Sequence, residues 1–162
     1  MQRMSRWIIV TLIAAAVSSC GFQLRDHYQL PPAMESVAIK APAFSEFAKV
    51  VEQRFTLAGV NLANLDTETL VIELLNEQLD RRTLSLSQSG QVAEYEMIYT
   101  VTYQLLKQGE ASAVQKLEVY RDYQDDPNFA LAKTREREVL VQEMRQEAAH
   151  QLLRQTIALL TE

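Results

Sequence analysis

The sequence predicts an α+β two-layer sandwich, with two helices on one face of a four-stranded, mostly antiparallel mixed sheet in the order β-α-β-β-β-α. Two segments carry apolar residues at helical spacing, one early and one at the end of the chain. Between them the apolar period drops from 3.6 to 2, and the breaks between periods fall on Gly, Pro, Asp and Ser.

The first strand is expected at Ser36 to Ala41, with Val37 and Ile39 on one side. Phe44, Phe47, Val51 and Phe55 then repeat at helical spacing, and Gly59 follows as a stop signal, which predicts an amphipathic helix from Phe44 to Ala58. Leu70 to Leu75, continued by Leu84 and Leu86 alternating with Thr83, Ser85 and Ser87, reads as a long strand, bulged near Asp80 to Arg82. Ser89, Gly90 and Gln91 make a hairpin turn in which Gly90 is free to take positive φ. The next strand is the clearest of all. Ala93, Tyr95, Met97, Tyr99, Val101, Tyr103 and Leu105 share one face, against Glu94, Glu96, Thr100, Thr102 and Gln104 on the other. A second turn at Lys107 to Ser112 leads to a strand from Val114 to Tyr123 with Leu117, Val119 and Tyr123 inward. Asp125, Asp126, Pro127 and Asn128 end the sheet, since proline lacks the ladder's donor. The last helix is expected from about Phe129 to Leu160, with a stripe of Leu131, Leu140, Met144, Ala148, Leu152, Leu153, Ile157 and Leu160. The partner of the first strand is not readable from its pattern.

Ahead of this domain lies a leader. Arg3 and Arg6 precede an 11-residue run, Trp7 to Val17, that is apolar except for Thr11. A membrane span needs about 20 such residues, so the run has the length of a cleaved signal rather than an anchor. Val17, Ser18 and Ser19 directly before Cys20 resemble a lipobox, which implies cleavage after residue 19 and fatty acylation of Cys20. The expected organisation is a signal peptide at 1–19, a lipidated tether at 20–35 containing Pro31 and Pro32, and one domain at 36–162. Two or more acyl chains anchor stably, because each buried methylene contributes only about 0.8 kcal/mol. Gly21 after the cysteine resembles the signal for transfer to the outer membrane, facing the periplasm.

The chain has 16 Lys and Arg against 21 Asp and Glu, and the leader removes two of the cations, so the net charge moves from −5 to −7. Nucleic acid is therefore not an expected partner, since duplex binding needs a basic face. Cys20 is the only cysteine, so acylation leaves no thiol for a disulfide or a cysteine metal site. No cofactor is expected.

Catalytic motifs are missing as well. The mature chain has His27 in the tether and His150 in the final helix, and neither sits in a nucleophile or metal motif. Asp122, Asp125 and Asp126 lack the ligand ladder and distal Glu of a calcium loop, so a solvated acidic turn accounts for them. The tyrosines at 95, 99 and 103 read as core rather than a binding platform. Arg81, Arg82 and Lys133 could meet an anion, but by residue type alone they are ordinary surface cations. No enzyme is expected; a hydrolase using His150 would require that side chain in an open cleft.

Several segments, in order, carry a family resemblance: Cys20, Gly21, Phe22, Gln23, Leu24 and Arg25; Gly90 to Tyr95 at the hairpin; Asp126, Pro127 and on to Lys133; and Glu143, Met144, Ala148, Ala149, Gln151, Leu152, Leu153 and Arg154. Together they resemble LptE, the LPS-assembly lipoproteins of the outer membrane. The resemblance implies a non-enzymatic protein that plugs the lumen of the lipopolysaccharide (LPS) translocon, an LptD-like β-barrel, helps it assemble, and binds LPS. In that family the LPS contacts are basic residues near the hairpin turn and at the start of the last helix. Lys133 matches the latter. At the turn Gln88 stands where a basic residue is expected, and Asp26 replaces a glycine after the CGFxLR start. The competing expectation is a stand-alone periplasm-facing lipoprotein that binds peptidoglycan or pilots another secretion barrel.

Overall fold

A 3₁₀ turn at Pro32–Met34 delivers the chain into the first strand, β1 (Ser36–Lys40), in a computed structural model that describes residues 29–65 and 70–161. Cys20 and His27 lie outside the described residues. The stretch expected to be an extended tether ends differently: Met34 is fully buried and Leu30 packs on the core, so this part of the chain is held by apolar burial.

Helix α1 spans Glu46–Leu57. Ser45 is its N-cap, in extended conformation, and its Oγ accepts from the Ala48 amide at 3.0 Å. The cap excludes Phe44 from the helical face predicted for it. Phe44 has φ +64° and is 96% exposed, while Phe47, Val51 and Phe55 are buried. The helix ends in a Schellman arrangement: Val60 N–H donates to Phe55 O and Gly59 N–H to Thr56 O, both at 3.0 Å. That turn needs φ +90° at residue 59, which glycine supplies without a Cβ clash.

β2 (Asn61–Leu62) returns to pair in parallel with β1, and β3 (Leu70–Leu86) pairs in parallel with β1 on its other side, from Val37↔Leu70 to Lys40↔Glu73. β3 and β4 (Val92–Lys107) form a long antiparallel hairpin closed by Gly90 at φ +79°. β5 (Glu110–Ala111) and β6 (Gln115–Gln124) both pair with the free side of β4. The sheet is mixed, as expected, but it has six strands rather than four. The two extra strands are two residues each, too short to show a period in sequence. The register shifts of β3 also differ from expectation, falling at Leu74/Asn76 and around Thr83 to Leu86. Asp80 to Arg82 pair without interruption, because the strand has left the core there and polar side chains are solvated.

Helix α2 (Ala130–Thr161) follows a 3₁₀ turn, Pro127–Phe129, in which the Asp126 carboxylate accepts the Asn128 amide at 2.9 Å. Both helices lie on the same face of the sheet. The core joins Phe47, Val51 and Phe55 of α1 to Met144, Ala148, Ala149, Leu152 and Leu153 of α2, and to Ile72, Tyr99, Val101, Tyr103 and Leu117 of the sheet. Phe47 and Tyr99 meet edge to face, 5.9 Å between centroids. The tyrosines at 99 and 103 are thus core, with Tyr95 half-buried. The apolar stripe of α2 starts later than predicted, since Leu131 is 69% exposed and burial begins near Leu140. The first three turns overhang the core.

Candidate functional site

The open face of the sheet is polar and pairs its own groups. The Glu73 carboxylate meets Lys40 Nζ at 2.7 Å and accepts from Gln104 at 2.6 Å, which holds it below the usual carboxylate range. Glu94 accepts from Ser85 and Gln124, and Glu118 from Lys116, Tyr120 and Thr100; both are lowered for the same reason, hydrogen bonds to the charged form. Arg82 donates to Glu96 at 2.6 Å on this face. Such a surface is hydrated and charged without being sticky.

On the helix side, at the hairpin end, the overhang creates a cleft of about 610 Å³. Leu79, Arg81, Tyr95 and Met97 line it from the hairpin, Tyr123 and Asp125 from the end of β6, and Lys133 and Arg137 from α2. Because Arg81 pairs directly with Met97, both side chains leave the sheet on the helix side, whereas neighbouring Arg82 points the other way. The Arg81 guanidinium lies 4.9 Å from the centre of the Tyr95 ring. Lys133 Nζ lies 5.4 Å from the Tyr123 ring centre and 2.9 Å from Glu136 Oε2. The Glu136 carboxylate bonded to it holds the ammonium above its ordinary pKa. Tyr123 ties α2 to the sheet by donating its hydroxyl to Lys133 O at 2.9 Å. Burial pushes the Tyr123 hydroxyl up, so it stays a neutral donor.

Of the two candidate LPS contacts, Lys133 is in this cleft, and Gln88 is exposed in the hairpin turn and does not line it. The structure does not gather both around one cavity. It adds Arg81, which the sequence reading left as an ordinary surface cation, and Arg137. Counting in twos from Leu84 and Leu86, or from Leu70 and Ile72, puts Arg81 on the outer face, and only the register shifts at Leu74/Asn76 and between Thr83 and Leu86 bring it to the helix side. His150 is half-buried between the helices, its Nε2 3.1 Å from Arg54 Nη2. It lines a cleft of about 550 Å³ between the helices, where a guanidinium can only donate, so Nε2 accepts from Arg54 and its lone pair is engaged.

Solved structures with this architecture define the class as an α+β bacterial lipoprotein domain. The rare lipoprotein B of Shewanella oneidensis superposes with a TM-score of 0.69 at 37% identity, over 76% of this chain and 94% of that one. An uncharacterized lipoprotein B of Nitrosomonas europaea gives 0.71 at 31% identity, over 87% and 93%. Within that class the lipopolysaccharide-assembly family, LptE, matches residues 34–156, and the chain belongs to this family. The LPS-assembly lipoprotein LptE of Pectobacterium atrosepticum is 29% identical over 155 residues, covering 94% of this chain and 84% of the relative. This is a family of assembly lipoproteins, not of enzymes, and it is outer-membrane associated. No helix among the described residues is long and apolar enough to cross a membrane.

Proposed function

We propose that this protein is an outer-membrane LPS-assembly lipoprotein, anchored through acylated Cys20, that occupies the lumen of the LptD-like translocon barrel as plug and assembly factor and contacts LPS as it is inserted. The observation that carries this reading is the one-sided sheet. One face is sealed by helices, while the other is a self-paired polar surface that suits the water-lined interior of a large barrel. Its length fits too. The 32 residues of α2 extend about 48 Å at 1.5 Å per residue, beyond the roughly 25 Å apolar band of an outer-membrane barrel.

Purification of the lipidated protein from detergent-solubilised outer membranes should recover one large barrel protein in equal amount. Recovery without a barrel, together with normal surface LPS after depletion, would replace this reading with a stand-alone lipoprotein. For the LPS contact, Lys133 and Gln88 are the candidate residues. Lys133→Glu should weaken binding of LPS in a direct assay by about tenfold or more, the scale of one charge-assisted bond. Unchanged binding would remove Lys133 from the contact.

A further inference from the structure

At the end of the domain opposite the β3–β4 turn, β1 and β3 begin side by side and β4 ends beside them, through Val37↔Leu70 and Val71↔Leu106. Both helices also finish there, α1 leading through Gly59 into β2 and α2 bringing Leu159 and Leu160 against Leu70 and Leu105. The entering chain is fixed to the same end, because Leu30 packs on the core with its Cδ1 4.0 Å from where a Cβ on Gly59 would stand. Large apolar side chains remain in water here. Leu57, Leu62, Leu65 and Leu159 are 39–81% exposed, although Val60 among them is buried. Single exposed leucines are ordinary. Four of them crown one end, and a depression of about 450 Å³, floored by Leu70 and Leu105, opens there beside the last turn of α2.

The short chain ahead of this end identifies what meets it. Gln29, the first described residue, stands nine positions after Cys20. Nine residues reach at most about 32 Å when fully extended. An acylated Cys20 therefore holds the leucine-bearing end within that distance of the bilayer, while α2 places the hairpin end roughly 48 Å further along the domain. So short a tether keeps the leucines at high effective concentration near lipid, and a contact too weak to anchor alone becomes populated. The charges fit a shallow contact. Exposed Lys107, on the rim of the depression opposite Glu110 in the β4–β5 ladder, suits a lipid phosphate. Glu35 and Glu110 are exposed at the same end and hold the surface at headgroup depth, since a carboxylate is not stripped of water without a partner.

We infer that the end bearing Leu57, Leu62, Leu65 and Leu159 is a membrane-contact surface that rests on the phospholipid leaflet holding the acyl chains. The leucines sit at the boundary of headgroups and acyl chains, and the domain stands on this end with its hairpin directed away from the lipid. The inference rests on the acylation of Cys20 proposed above, and on neither the barrel nor LPS.

The test uses the full mature protein, its Cys20 checked by mass spectrometry, in vesicles of phosphatidylethanolamine and phosphatidylglycerol. Acylation of the only cysteine leaves no thiol, so Leu62→Cys, Leu65→Cys, Ser89→Cys and Leu131→Cys each carry a single fluorophore. Probes at 62 and 65 should be quenched by lipid-borne nitroxide and be at least about threefold less open to aqueous iodide than those at 89 and 131. Leu131 is the control for apolarity, being equally exposed but at the far end. Adding Leu57→Ser and Leu65→Ser to the probe at 62 should raise its iodide quenching toward that of 89, with circular dichroism unchanged. Equal iodide quenching at all four positions overturns the inference, and so does protection of 131 to the same degree, which means that the domain lies flat. Protection of 62 that survives both serines overturns it as well. Protection seen only when a barrel protein is added assigns the leucines to the barrel's rim, and this too overturns it. Mass spectrometry separates the failures: an unmodified Cys20 sinks the proposed anchor and this inference with it, whereas acylated protein with open leucines sinks the inference alone.

Discussion

Where α1 crosses the sheet, Ile72, Tyr103, Phe55 and Leu152 are entirely removed from water, whereas at the hairpin end Leu84, Leu86, Leu131 and Val139 are 45–69% exposed on the same secondary-structure elements. Strands and helix run continuously from one region into the other, so backbone hydrogen bonding does not distinguish them. Side-chain burial does. Apolar burial supplies most folding free energy, about 25 cal/mol per Å² removed from water, and it is concentrated in the α1 half. The overhanging half is held up by the hairpin ladder and by contacts such as Tyr123 to Lys133, and its side chains remain available to partners. Stability and recognition therefore occupy different lengths of the same elements.

The sharpest way to break that contrast is truncation on either side of it. Leu152→Ala removes a fully buried side chain that cannot be replaced by collapse between sheet and α1, and should cost about 3–5 kcal/mol in urea unfolding. Leu131→Ala, at 69% exposure, should stay within about 0.5 kcal/mol. Comparable losses at the two sites would mean that the overhang shares the core.

Alkaline pH probes the packed half through its two fully buried tyrosines, Tyr99 and Tyr103. Burial pushes the Tyr103 hydroxyl from 10.0 up to about 12, and burial raises Tyr99 as well. A raised folded-state pKa means that the folded chain keeps its proton longer than the unfolded one. The stabilisation is complete below pH 10 and is lost as pH climbs from 10 through 12. For Tyr103 the full loss is about 2–3 kcal/mol. Denaturant midpoints should be flat from pH 7 to 9 and fall steeply above 10, and Tyr103→Phe should flatten that fall. A fall beginning near neutrality would require a different titrating group.

Much of the packed half is legible in sequence, and the overhang is legible only in part. Tyr99, Val101 and Tyr103 alternate because one sheet face is buried, and Phe47, Val51 and Phe55 repeat at helical spacing because one helix face is, so burial writes its own period. Three things escape that signal. Parallel pairing of β1 with β3 is a long-range choice, since Val37 and Ile39 would look alike beside any strand. Phe44 is apolar and correctly spaced, but Ser45 as N-cap places it outside the helix. Arg81 and Arg137 join one cleft through the crossing of hairpin and helix, a tertiary fact that neither residue's neighbours record. Lys133 stood out only through family resemblance.

Between core and overhang lies the Glu77–Arg145 pair, 3.0 Å apart and with each side chain about a quarter exposed. Partial desolvation should make Arg145→Ala cost about 1–2 kcal/mol, more than the median exposed pair but less than a buried one. Lys49→Ala, which breaks the well-exposed pair with Glu46, should cost under about 0.5 kcal/mol. A double-mutant cycle with Glu77→Gln measures the coupling, and no coupling would place this boundary with the solvated half.

The smallest effects belong to the hairpin turn, and they separate backbone from side chain there. Gly90 holds φ +79° with no atom within 4 Å of where a Cβ would stand, so Gly90→Ala meets no clash and loses only what the left-handed backbone costs an L-residue, about 1 kcal/mol. Gln88 has no such demand on it, and Gln88→Ala should leave the urea midpoint where it is. Gln88→Arg should be equally silent in stability, and because the residue lies outside the cleft it should not restore LPS binding to the Lys133→Glu protein. Restoration would show that turn and cleft reach one ligand together, and the recognition surface would then extend over the whole overhang rather than its helix side alone.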